Sequence, residues 1–320
     1  MDPTYKCIKA HSNSSVNALA LLENTGFMLT GGGNDGLIKL THIDGEVLPF
    51  PKEHSGSINA VDYLDELIAS GGENDSIVLW DLVKQCKLKK FRTDPSSILN
   101  NSVMDVNVHK DLLISCGTNC QLNFHDLKAS NINKPIMILK DATDSLTSFN
   151  YCSSQYQVIA GSLDGKVYKY DLRNSQVYIE MIDGSHSSGI LDVSVYKDKL
   201  LLTFENGVVK LVDREDMNTV NEIHRSDKIL TYRMNSILMD DYHSATKKYI
   251  VSGSEIGEVG LWEINGKNSE VENHRKLRPD SIDPKNSNMQ LLNIVKFLPS
   301  SNRLVSSSGD GRLHIWDNVV

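Results

Sequence analysis

Val158-Ile-Ala-Gly-Ser-Leu-Asp-Gly-Lys-Val-Tyr-Lys-Tyr-Asp171 is the stretch on which the fold turns. A short apolar run leads into small residues. An Asp-Gly turn follows, and alternating apolar residues then end in an aromatic and an acid. Asp-Gly between two such runs is a two-residue hairpin signal. One hairpin buries too little to stand alone, but this phrase recurs. Further copies run Met28–His42, Leu67–Asp81, Leu113–Asp126, Leu200–Asp213, Tyr249–Glu263 and Leu304–Asp317, making seven. The aromatic position is held by Thr41, Trp80, His125, Tyr170, Val212, Trp262 and Trp316, at spacings of 39 to 54 residues. A period near 40–45 is that of a four-stranded propeller blade.

Six residues before that position stand Asp35, Asn74, Asn119, Asp164, Asn206, Ile256 and Asp310. Asp and Asn bond their own turn and tolerate left-handed backbone, so these are turn formers and not catalytic acids. Gly36, Gly165, Gly207, Gly257 and Gly311 come next; Asp75 and Cys120 break that column. Upstream of each copy lies another strand with an apolar-x-x-apolar core. These cores begin at Val16, Ile58, Val103, Leu146, Ile190, Met234 and Leu292. A fourth strand follows the aromatic, as in Lys87–Phe91. The last copy leaves only three residues after Asp317, too few for its own fourth strand. Thr4–Ala10 has no other partner and is expected to complete that blade and close the ring, which removes exposed edges. The expectation is an all-β chain: a single seven-bladed propeller over residues 1–320 with a long connection at about 264–290.

The His11 and His54 positions, the turn acids and the Trp endings resemble the WD-repeat family over nearly the whole chain. The pattern is incomplete: no blade combines the His, the turn Asp and the Trp. A closer likeness, to kinase-organizer propellers within that family, rests on Val158–Arg173, Lys140–Ser145, Gly71–Asp81 and the Tyr232-Arg-Met lead into Tyr249–Glu255. The resemblance implies a non-catalytic scaffold or adaptor that assembles mitogen-activated protein kinase cascade components, or a subunit or accessory factor of a pre-mRNA splicing complex. A substrate receptor of a ubiquitin ligase is a third reading, and an enzyme using the channel a fourth.

Composition narrows the partners. The net charge is -8, which argues against nucleic-acid binding through bulk charge. No apolar run is long enough for a membrane helix. The start has no apolar signal-peptide core. Five scattered cysteines point to reduced thiols in the cytoplasm or nucleus. Cys116 and Cys120 form the one close pair, with no further ligands at zinc spacing, so no metal or cofactor is expected. No nucleophile-elbow, zincin, phosphate-loop or C-x-x-C motif is present. Gly31-Gly32-Gly33 has no helix behind it to hold an anion. Proteins are the expected partners, bound by a chain that is a monomer within complexes.

For the binding surface, the position after the first apolar residue of each inner strand holds Asn17, Asn59, Met104, Thr147, Leu191, Asn235 and Asn293. Asn is disfavoured in strands. Either these residues cap the strand start and bond the neighbouring loop, or they form a recognition ring for a peptide. Tyr232 and Arg233 are of hot-spot type. The basic run Lys84, Lys87, Lys89, Lys90 and Arg92 maps to an outermost strand, where lysines block edge pairing. His274–Arg278 lies in the long connection; Arg275 and Arg278 would there steer an acidic partner, or the loop is a free tail.

Overall fold

The structure is a computed structural model that describes residues 3–74, 76–93, 101–129, 134–174, 176–181, 188–224, 235–240, 247–253, 258–265, 271–279 and 292–319. β1 (Thr4–Lys9) comes first. Blade one is β2 (Val16–Leu21), β3 (Phe27–Gly32), β4 (Ile38–His42) and β5 (Val47–Pro49). Blade two is β6 (Ile58–Leu64), β7 (Leu67–Gly72), β8 (Ser76–Asp81) and β9 (Cys86–Arg92). Blade three is β10 (Val103–His109), β11 (Leu112–Gly117), β12 (Leu122–Asp126) and β13 (Met137–Leu139). Blade four is β14 (Leu146–Cys152), β15 (Gln157–Ser162), β16 (Lys166–Asp171) and β17 (Gln176–Met181). Blade five is β18 (Ile190–Tyr196), β19 (Lys199–Phe204), β20 (Val208–Asp213) and β21 (Thr219–His224). Blade six is β22 (Ser236–Asp240), β23 (Lys247–Ser252), β24 (Val259–Asn265) and β25 (Val271–Leu277). Blade seven is β26 (Leu292–Leu298), β27 (Arg303–Ser308) and β28 (Arg312–Asp317). Its fourth strand is β1, antiparallel to β28 from Thr4↔Asp317 to Lys9↔Arg312. The expected closure by the N-terminal strand is what the chain builds.

The turn column works as the residue types require. Asp35, Asp164, Asp310 and Asn206 each accept the amide of the residue two further on, at 3.0–3.1 Å. Gly36, Gly165, Gly207 and Gly311 take positive φ after them. Asp75, Ile256 and Gly257 lie outside the described residues.

Packing is between blades. Each apolar cluster joins two neighbours, as Leu29 and Leu40 do with Ile58, Ile68 and Trp80. The circle closes where Ile8 and Ala10 meet Val16, Met28, Val305 and Ile315. The Gly run of blade one belongs to this packing. A methyl at Gly31 would lie 2.6 Å from Ile58, and one at Gly71 2.5 Å from Val103. Those glycines let adjacent blades approach.

The polar network within blades is substituted, not lost. In blade two His54 bonds Ser70 at 2.7 Å and Ser76 at 3.0 Å, and Trp80 Nε1 donates to Ser70 at 2.9 Å. Ser76 thus replaces the acid. In blade one His11 bonds Asp35 at 2.6 Å and Thr30 at 3.0 Å, without a Trp. In blade four Thr143 and Tyr168 both donate to Asp164, at 2.5 and 2.6 Å. Both His11 and His54 are structural.

Blade three departs from this. Ser115, Asn123 and His125 occupy the registers of Ser70, Val78 and Trp80. They are buried, and their side-chain polar atoms have no hydrogen-bond partner among the described residues. Unpaired buried polar groups cost about 1–3 kcal/mol each. Asn123→Val, copying blade two, should therefore raise the urea midpoint without changing the slope of the unfolding curve. An unchanged or lower midpoint would show that Asn123 is satisfied.

Candidate functional site

Inner strands line a central cavity of about 260 Å³. Asn17, Asn59, Met104, Thr147, Leu191 and Asn235 all face it. Six of the seven positions read from the sequence therefore line one channel. The side chain of Asn293, and Tyr232 and Arg233 entirely, lie outside the described residues.

The reason Asn is tolerated here is a bulge. Pairing of inner strand and neighbour skips a residue between Val16 and Ala18, Ile58 and Ala60, Val103 and Asp105, Leu146 and Ser148, and Ile190 and Asp192. The skipped residues are Asn17, Asn59, Met104, Thr147 and Leu191. A bulge turns its residue out of the ladder, here toward the next blade. Asn59 Nδ2 donates to Val103 O at 3.0 Å, and Thr147 Oγ1 to Ile190 O at 2.7 Å. Asn235 Oδ1 accepts Val295 N–H at 2.7 Å while its Nδ2 donates to Val295 O at 3.1 Å. This corrects the recognition-ring reading for these residues: the polar groups of Asn59, Thr147 and Asn235 are committed across blade boundaries, not free to read a peptide backbone. Asn235→Ala should cost about 2 kcal/mol, because it strands a buried N–H and a buried carbonyl; chemical denaturation checks this.

Further along the same strands, charge enters the channel. Asp62 accepts Val108 N–H at 2.8 Å and Asn107 Nδ2 at 2.9 Å. Asp105 accepts Phe149 N–H at 3.1 Å, and Ser148 Oγ accepts Val193 N–H at 2.7 Å. Asp192 accepts the Ser236 amide. Blades two to seven are thus stitched side chain to backbone at each step. Burial by the channel walls pushes Asp105 up to about 7 and Asp192 up to about 6, and raises Asp62 as well. Lys296, exposed within the channel, draws all three down. The aspartates are themselves only partly covered. The sequence reading missed this set, although an acid inside an apolar inner strand, as in Val103-Met-Asp-Val106 and Ile190-Leu-Asp-Val193, was its signal.

The other expected surfaces divide. Lys87, Lys89, Lys90 and Arg92 of the basic run are on the outermost strand β9, as expected, Lys84 lies in the turn before it, and the four lysines are engaged. Lys87 pairs Glu53 at 2.7 Å, Lys84 pairs Asp81 at 3.1 Å, and Lys89 and Lys90 reach the carbonyls of Leu127 and Glu53. Arg275 and Arg278 are not on a free loop. Val271–Leu277 is the outer strand of blade six, formed by pairing with β24, and Arg278 follows its end. Arg275 Nη2 donates to Val319 O at 3.1 Å and lies over Tyr249, while Arg278 pairs Glu258 at 2.5 Å.

What stays exposed and apolar is on the rim. Ile136 and Ile138 of blade three and Tyr156, Tyr178 and Ile179 of blade four are exposed large side chains. Ile136 and Tyr156 border a groove of about 640 Å³ between the two blades, floored by His109 and Tyr151, whose rings meet edge to face at 5.4 Å.

The family of the WD domain, G-beta repeat, matches residues 3–41, 45–81 and 289–317. The chain is 24% identical to the WD repeat domain-containing protein 83 homolog of Dictyostelium discoideum, over 97% of this chain and 98% of that protein. It is 23% identical to eukaryotic translation initiation factor 3 subunit I of Saccharomyces cerevisiae, over 86% of this chain and 82% of that protein. It is 22% identical to the LST8 homolog of Drosophila melanogaster, over 78% and 75%. Three stretches match the repeat model, seven four-stranded blades close into a propeller, and a likeness runs end to end, which together support the chain's resemblance to the WD-repeat family.

Proposed function

We propose that this propeller is a protein-interaction scaffold that gathers components of a mitogen-activated protein kinase cascade. The observation that carries the reading is the end-to-end likeness to the WD repeat domain-containing protein 83 homolog, joined to the kinase-organizer motifs in blades two, four and six. The disc suits the task physically. Its blades are locked by apolar clusters and by side-chain to backbone bonds, so partners held on it keep fixed relative positions. A rigid holder raises effective concentration without chemistry. Contacts fall on groups left free by blade-to-blade bonding, namely the apolar rim of blades three and four and, at the channel, Met104. The five free cysteines support a reducing compartment, the cytoplasm or nucleus, as the setting of this assembly.

The test is purification of the tagged full chain from its host with identification of the co-purifying proteins. Two or more kinases of one cascade in the same particle are expected. Splicing factors in their place would move the protein to a splicing complex, and a ligase adaptor to substrate reception. A chain that purifies alone would overturn the scaffold reading.

A further inference from the structure

We infer that the outer edge of β17 is a docking site for an extended segment of a protein partner, which adds to blade four as a fifth strand. This rests on the scaffold reading and names a surface for it. Every blade ends in an outer strand whose far side could pair with another chain, and such edges are ordinarily protected by short length, bulges, Pro or charge. Six of the seven show a protection. β5 and β13 are three residues long, and Pro49 ends the first. β9 carries Lys87, Lys89, Lys90 and Arg92 and a bulge against β8. β21 and β25 each have a bulge against their neighbour, and β25 adds Arg275 and Lys276. β1 carries Lys6 and Lys9.

β17 is not short and has no bulge, no Pro and no basic residue. Its sequence is Gln176-Val-Tyr-Ile-Glu-Met181, with no Lys, Arg or Pro. All six residues pair with β16 in unbroken register, from Lys166↔Met181 to Asp171↔Gln176. It is the last strand of its sheet, and among the described residues no strand pairs with its far side. Tyr178 is 52% and Ile179 48% exposed. As neighbours in a strand they point to opposite faces, so an added strand would be gripped from both sides.

The edge also selects its occupant. Main-chain pairing supplies affinity and alternate side chains supply specificity. The one charge on β17 is Glu180, on a chain of net charge -8. The fitting segment is extended, apolar at alternate positions, and carries Lys or Arg opposite Glu180.

The experiment uses the purified full chain and a displayed library of random twelve-residue peptides, so it does not depend on any host partner. Enriched peptides should alternate apolar residues and contain a basic one. Their binding should fall at least tenfold with Ile179→Lys, which installs the kind of guard seen on β9. It should fall equally when alternate backbone amides of the peptide are methylated. Ile179 is exposed, so the variant should melt as the parent does, and Val83→Lys serves as a rim control that leaves binding unchanged. No enrichment, binding indifferent to Ile179→Lys, or binding indifferent to amide methylation would each overturn the proposal. Host partners that persist on the Ile179→Lys chain would leave the scaffold standing with another contact surface.

Discussion

A chain lacking residues 1–10 should lose most of its folding stability. β1 does three things at once. It supplies the outer ladder of blade seven, six residues paired to β28. It places Ile8 and Ala10 in the cluster that joins blade seven to blade one. It also sets Tyr5 against Trp316, with its hydroxyl 2.8 Å from His314 Nδ1. Truncating a buried Ile alone costs about 2–5 kcal/mol, and the buried imidazole would lose its partner for about 1–3 kcal/mol more. Together these rival the 5–15 kcal/mol that holds a whole domain folded. Point variants grade the effect: Ile8→Ala should cost about 3 kcal/mol and Tyr5→Phe about 1 kcal/mol, both read from urea unfolding of the full chain. A truncated chain with the parent's midpoint would mean that the β1 pairing contributes nothing to the closed ring.

That closure was legible because it is a counting argument. Seven turns, six of them with Asp or Asn, and seven inner strands leave one strand missing at the end and one spare at the start. Period and turn chemistry survive the loss of most Trp residues, since a hairpin needs its turn more than its signature aromatic. The polar details were less legible. Nothing in the tetrad Ile58-Asn59-Ala60-Val61 announces a bulge, because a bulge is a mismatch between two strands and appears only when both are aligned. Without it, Asn59 and Asn235 read as surface groups, whereas the structure spends them between blades. Arg275 and Arg278 were misplaced for a related reason. A strand as polar as Val271-Glu-Asn-His-Arg-Lys-Leu277, with Arg278 just past its end, looks like a loop when no partner strand is in view. The free edge of β17 is invisible for the same reason, since it is defined by what the other six edges carry.

Acid should unfold this propeller well above the pH at which ordinary, solvated carboxylates protonate. Burial holds His54, His125 and His314 down at about 4, and lowers His11 also. In the unfolded chain the same imidazoles take a proton near 6.5. A group whose folded value is depressed below its unfolded value favours the unfolded state as pH falls between the two. Each of the three is almost fully buried, and a pKa unit is about 1.4 kcal/mol, so the loss per imidazole is on the order of 3 kcal/mol between pH 6.5 and 4. The channel aspartates work the other way. With Asp105 raised to about 7 and Asp192 to about 6, the folded chain binds protons that the unfolded chain takes only near 3.8, so stability grows as pH falls through those values. These carboxylates face channel water, and screening reduces their contribution to about half of what the shifts alone imply. Between pH 8 and 6.5 Asp105 acts almost alone and stability rises slightly; below 6.5 the histidines outweigh it. Thermal melts at pH 8, 6.8, 5.5 and 4.5 should therefore pass through a maximum near pH 6.5–7 and fall steeply on the acid side. His125→Phe, at a site with no hydrogen bond among the described residues to lose, should remove about a third of the acid loss while keeping its ring packed on Phe91. Asp105→Asn should raise the melting point at pH 8 and leave it unchanged at pH 5.5, where the native carboxyl is already protonated. A melting point that holds steady from pH 6.8 to 4.5 would show that the buried imidazoles accept protons without unfolding the disc.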